Sequence, residues 1–71
     1  MWIVTQDRDE IINTEKITRI YIINSGTSCD LCADNECLGK YKTEEEAISE
    51  LARIAQAKYD GREIYDITIG E

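Results

Sequence analysis

Leu38-Gly39-Lys40-Tyr41-Lys42-Thr43-Glu44-Glu45-Glu46-Ala47 reads as a strand that runs directly into the start of a helix, and this stretch decides the fold class. Thr43 is placed to accept a hydrogen bond from an orphan amide of the first turn, while Glu46, three residues on, reaches back to the backbone of Thr43. The three glutamates favour the positive end of the helix dipole. From Glu44 to about Tyr59, the residues Ala47, Ile48, Leu51, Ala52, Ile54, Ala55 and Tyr59 repeat at the three-and-four spacing of a helix buried on one side. Glu45, Glu46, Ser49, Glu50, Arg53 and Gln56 fall on the opposite face. Gly61, after Asp60, can take the left-handed conformation that ends a helix, and Arg62 to Ile69 then resumes a strand.

Upstream, Trp2 to Gln6 reads as a first strand, Asp7-Arg8-Asp9 as a turn, and Glu10-Ile11-Ile12-Asn13 as the return of a hairpin. Lys16 to Asn24 is the strongest strand pattern in the chain. Ile17, Arg19, Tyr21 and Ile23 fall on one side and Thr18, Ile20 and Ile22 on the other, so this strand is expected at the centre of a sheet or under a second subunit. After a Ser25-Gly26-Thr27 loop, Ser28 to Ala33 and Glu36 to Lys42 form a second hairpin around an Asp34-Asn35 turn. In that register Leu31 faces Leu38 and Cys32 faces Cys37, with the two sulfurs on one face. The expected architecture is a single α+β domain over residues 1–71: a small antiparallel sheet of five to six short strands against one amphipathic helix, in the order β-β-β-β-β-α-β.

With 71 residues, 42% apolar and 32% charged, the chain has room for one small core and is not a disordered tail. Phe and Pro are absent, and isoleucine, much of it in β-like runs, is expected to carry that core. The net charge of −7 and the dispersed lysines and arginines argue against a direct grip on nucleic acid. No apolar run approaches the ~20 residues that span a membrane, and the N-terminal Met1 to Asp7 lacks the basic and apolar regions of a leader, so a cytoplasmic location is expected. Three cysteines, an odd number, fit a reducing compartment better than a disulfide framework.

Cys29-Asp30-Leu31-Cys32, followed by Cys37, has the spacing of a metal-binding loop, which makes Cys29, Cys32 and Cys37 candidate ligands for zinc. There is no His, so a fourth ligand would come from Asp30, Asp34, Glu36 or another chain. A Cys29/Cys32 redox pair would sit among acidic neighbours, which raise a thiol pKa. A Cys32–Cys37 cross-strand disulfide suits the proposed hairpin but not a reducing compartment. The plainest reading makes all three small packing side chains. Asp7, Asp9 and Glu10 could hold a hard cation, although an acidic turn is more simply a solvated loop. With no His, no nucleophile motif and no Gly-rich phosphate loop, enzymatic activity is not expected. Trp2, Tyr21 and Tyr65 lie on strands and are the candidate partner-binding aromatics, whereas Tyr41 and Tyr59 flank the helix as packing residues.

The opening Met1-Trp2-Ile3-Val4-Thr5-Gln6-Asp7, the later Ile11-Ile12-Asn13 and Ile17, and Leu38 to Ala47 with the helix that follows together resemble small uncharacterised proteins of Gram-positive bacteria and their phages. The likeness spans most of the chain and implies the antiparallel sheet with one helix. It carries no catalytic or ligand residues, and Cys29 to Cys37 departs from it. A phage or prophage origin implies an accessory, non-enzymatic role, such as binding a host protein or sequestering a small nucleotide signal used in antiviral defence. The alternatives are a thiol or metal protein acting through its three cysteines, and a structural subunit of a homo-oligomer. A homodimer burying part of Ile17 to Ile23 or a sheet edge is the expected assembly.

Overall fold

The computed structural model describes residues 1–70 and contains six short strands, one 3-10 turn and one α-helix. In chain order these are β1 (Trp2–Val4), β2 (Ile11–Asn13), a 3-10 turn (Thr14–Lys16), β3 (Ile20–Asn24), β4 (Cys29–Ala33), β5 (Glu36–Tyr41), α1 (Glu44–Tyr59) and β6 (Ile64–Asp66). The fold is α+β in the expected element order.

The strands divide into two three-stranded sheets rather than one, ordered β2-β1-β6 and β3-β4-β5. The first is mixed: β1 pairs antiparallel with β2 but parallel with β6, because α1 intervenes and returns the chain beside β1 in the same direction. The second is antiparallel throughout. Inner residues Ile3, Ile12 and Tyr65 of the first sheet meet Leu31, Ala33 and Leu38 of the second and Ile54 and Ala57 of α1 in one core, with Ile67 beside them. Each fully buried aliphatic side chain there contributes about 1.5–3 kcal/mol.

Helix α1 begins and ends where the sequence places it. The Thr43 hydroxyl accepts from the Glu46 amide at 3.2 Å. The return bond from the Glu46 side chain is not formed among the described residues. At the other end Gly61 has φ 74°, its amide donates to the Lys58 carbonyl (3.1 Å), and the Arg62 amide donates to the Ala57 carbonyl (3.1 Å). These two bonds are the Schellman arrangement, whose left-handed position favours a residue without a Cβ.

The helix is rotated from the expected face. Ala47, Glu50, Ile54 and Ala57 are buried, whereas Ile48 and Tyr59 are exposed, Tyr59 at 87%. The expected packing role of Tyr59 is therefore corrected, while Tyr41 is half-buried against the helix.

Three strand expectations also change. The Lys16–Asn24 strand begins only at Ile20 and lies at a sheet edge, with β4 at the centre. The amides of Thr18 and Arg19, which a longer strand would give to a ladder, instead donate to the Asp34 carboxylate at 3.0 and 3.2 Å. The terminal strand stops at Asp66, whose carboxylate accepts from the amide and hydroxyl of Thr68 (2.9 and 2.6 Å) and turns the chain. In the β4–β5 hairpin Cys32 does face Cys37, but a bulge follows, so Leu31 faces Gly39 and not Leu38. The bulge lets both leucines enter the core, where Leu31 and Leu38 are almost fully buried.

Candidate functional site

Strand alternation sends Ile3, Ile12 and Tyr65 of the first sheet inward and Trp2, Val4, Ile11 and Ile64 outward. Trp2 is the register partner of Ile64, and Val4 is the partner of Ile11, so the four side chains occupy neighbouring positions across three strands. Trp2 is 42% exposed, Ile11 58% and Ile64 55%, which leaves an apolar sheet face in water. At the ends of these strands Asp9, Glu10, Glu63 and Asp66 outnumber Arg8 and Arg62, and the Arg8–Asp66 pair is loose at 3.8 Å. The patch thus has an acidic rim.

Of the aromatic residues picked out as partner-binding, only Trp2 stands on this face. Tyr65 is 1% exposed and belongs to the core, which removes it from any contact surface. Tyr21 lies half-buried on the outer face of the other sheet, with the Arg19 guanidinium 4.3 Å from its ring centroid and its hydroxyl donating to the Asp34 carbonyl at 2.5 Å. Its polar end is committed to bracing the hairpin turn.

The most unusual buried group is Glu50, 3% exposed in the middle of α1. It accepts hydrogen bonds from the Tyr65 hydroxyl and from the Tyr41 hydroxyl at 3.3 Å, and it pairs with Arg53 Nε at 3.4 Å. Burial, reinforced by the adjacent carboxylate, pushes the Tyr65 phenol up to about 12 and that of Tyr41 higher still. The Arg53 guanidinium is raised in turn, chiefly by its bond to Glu50. Two phenols held neutral are poor bases, and every Glu50 oxygen is engaged, so this cluster fastens α1 to β5 and β6. Sequence periodicity assigned Glu50 to the solvent face. The missed signal is its place in the series Ala47, Glu50, Ile54, Ala57, at helical spacing, with tyrosines available on both flanking strands.

The three cysteines do not converge. Cys29 shares the inner side of β4 with Leu31 and Ala33, whereas Cys32 points to the outer face, opposite Cys37 of β5. Among the described residues no group of three His, Cys, Asp or Glu side chains is arranged to hold a metal ion. The zinc set of Cys29, Cys32 and Cys37 is therefore not assembled, and neither is the Asp7, Asp9, Glu10 cation cluster: Asp9 instead accepts from the Thr5 hydroxyl at 3.3 Å. Cys29 and Cys32, on opposite faces, cannot act as a vicinal redox pair. All three thiols are free, with Cys29 and Cys32 buried and Cys37 exposed.

No family model matches the chain, and no curated protein or solved structure proved similar to it. Among the described residues no helix is long and apolar enough to cross a membrane.

Proposed function

We propose that this chain is a non-enzymatic binding protein that docks a protein partner on the outer face of β2-β1-β6. The observation that carries this reading is the adjacency of the exposed Trp2, Ile11 and Ile64 around the half-buried Val4, since exposed contiguous apolar patches mark interaction surfaces and tryptophan is a frequent anchor. A protein fits better than a small nucleotide signal. The face is a sheet surface rather than a concave pocket, and Glu44, Glu45 and Glu46 occupy the helix start that would otherwise attract a phosphate. The acidic rim and the net charge of −7 favour a partner whose own apolar patch is bordered by lysine and arginine. The resemblance to phage and prophage proteins supplies the setting: a cytoplasmic accessory protein that occupies a host protein, as in interference with antiviral defence.

A homodimer through β3 is the second reading, favoured by the free edge of that strand and the apolar groove lined by Ile17, Ile20, Leu51 and Ala55 beside it. The deciding experiment compares wild type with Trp2→Ser/Ile64→Ser as immobilised bait and then as purified pairs with whatever host protein is retained. The docking reading expects at least a tenfold weaker Kd for the variant with unchanged far-UV ellipticity. Equal affinity would remove the face from the interaction, a reproducible turnover would remove the non-enzymatic reading, and a dimer dissociated by Ile23→Lys would favour the β3 reading.

A further inference from the structure

We propose that Cys32 and Cys37 are a thiol-modification site, closing to a reversible cross-strand disulfide by exchange with a low-molecular-weight disulfide of the glutathione type. The inference is independent of the docking face.

Its basis is register. Cys32 and Cys37 are direct partners across the β4–β5 ladder. Opposed residues of an antiparallel pair have Cα atoms about 4.5–5.5 Å apart, inside the roughly 4.4–6.8 Å window of a disulfide. The two side chains share the outer face of the ribbon, directly opposite each other in the register. The connection between them is also held in place. Asp34 sits at φ 51°, its carboxylate accepts from Thr18 and Arg19, and its carbonyl accepts from Tyr21, so the hairpin that aligns the sulfurs is braced from β3. Cys29, buried on the opposite side of β4, is kept out of reach by the sheet itself.

The order of events follows from exposure. Cys37 is exposed, its Sγ 3.7 Å from the Gly39 carbonyl, and is the sulfur that an incoming disulfide can meet. Cys32 is buried, and burial, together with the neighbouring thiol and the Asp30 carboxylate, pushes its pKa up. As a thiolate, Cys37 attacks one sulfur of oxidised glutathione, forming a mixed disulfide and releasing a glutathione thiolate. Cys32 then loses its proton and attacks Cys37 Sγ, breaking the mixed disulfide and expelling the second glutathione thiolate. Two protein thiols are oxidised to one disulfide, oxidised glutathione is reduced to two thiols, and the two protons from the cysteines end on glutathione.

The test equilibrates the reduced, folded 71-residue chain in buffers of increasing oxidised-to-reduced glutathione ratio, quenches with an alkylating reagent, and reads intact mass and peptide map. Expected is a species that has lost two of its three alkylatable thiols, with Cys32 joined to Cys37, Cys29 alkylated, and full return on treatment with dithiothreitol. Cys29→Ser should behave as wild type, and Cys37→Ser should form no intramolecular bond while keeping its far-UV ellipticity. Three free thiols at the most oxidising ratio would overturn the proposal. So would a lasting glutathione adduct on Cys37 beside a free Cys32, or a disulfide that includes Cys29.

Discussion

Replacing Glu50 by alanine tests whether the buried carboxylate organises the junction of α1 with both sheets. The substitution strands two phenolic donors. Tyr65, 1% exposed, has no access to water, and leaving its hydroxyl unpaired costs about 2–3 kcal/mol. Tyr41 is half-buried and can partly turn outward, at about 1 kcal/mol. The Arg53 side chain is 49% exposed and is resolvated at almost no cost. Together these give about 3–4 kcal/mol, a large share of the roughly 4–10 kcal/mol expected for a chain of this length. Urea unfolding followed by far-UV ellipticity should show the midpoint falling by about 2.5–3.3 M, given a slope of ~1.2 kcal/mol/M. Glu45→Ala, at an exposed first-turn position, is the control and should cost only about 0.3–1 kcal/mol. The combination Glu50→Leu with Tyr65→Phe removes the charge and its closest donor at once, and should recover much of the loss, because apolar replacement of both partners leaves fewer polar atoms unpaired. A Glu50→Ala protein no less stable than the Glu45→Ala control would refute the reasoning.

The same cluster sets an alkaline limit. Tyr65 ionises at about 12 in the folded chain against an ordinary 10, and Tyr41 is also raised, so the unfolded chain gives up these protons first. Stability is therefore full below pH 10 and falls as pH rises through the folded-state values; Tyr65→Phe should flatten that loss, as measured by urea midpoints across the alkaline range. Gly39→Ala places a Cβ 3.1 Å from Gln6 Cβ and 3.2 Å from the Tyr41 hydroxyl, tighter than ordinary contact. It should cost about 1–3 kcal/mol of stability, read as a lower Tm, while Gly26→Ala, with open space around it, reports only the strain of its positive φ.

What the sequence made legible was local. The Thr43 cap, the Gly61 stop, the Asp34-Asn35 turn and the facing of Cys32 and Cys37 each depend on residues a few positions apart, and all appear as read. Glu50 was not legible as a buried group, because its partners Tyr41 and Tyr65 lie on strands before and after the helix and only the folded chain brings them together. The position of β3 failed for a related reason. Its two apolar faces suited a central strand, yet at the edge Ile20 and Ile22 face the core, Tyr21 is covered by Arg19 and Ile23 stays 46% exposed, so one face is buried while the other is only partly covered. Trp2 was legible as a candidate, but its surroundings required the parallel return of β6, which delivers Ile64 beside it.

At the junction of the two sheets one side chain covers the edge of β5. Gln6 gives its backbone amide to the Leu38 carbonyl at 2.9 Å, and its side-chain amide accepts from the Lys40 amide at 2.8 Å and donates to the Lys40 carbonyl at 3.1 Å. A carboxamide so placed reproduces the donor and acceptor of one strand residue, and it satisfies the edge of β5 without extending β1 into the second sheet. Gly39 lies under it because a larger residue would press on Gln6, and the bulge at Leu38 sets the spacing at which the amide fits. Had β1 continued along β5, Trp2, Val4 and Ile11 would belong to one larger, more twisted sheet. Ending β1 at Val4 instead leaves β2-β1-β6 as a separate small sheet, with its core side pinned by Ile3, Ile12 and Tyr65 and its outer side free. The same short stretch of β5 holds Cys37 on one side of the bulge and the Gln6 contact on the other, so one irregularity in the backbone serves both the thiol register and the junction with β1.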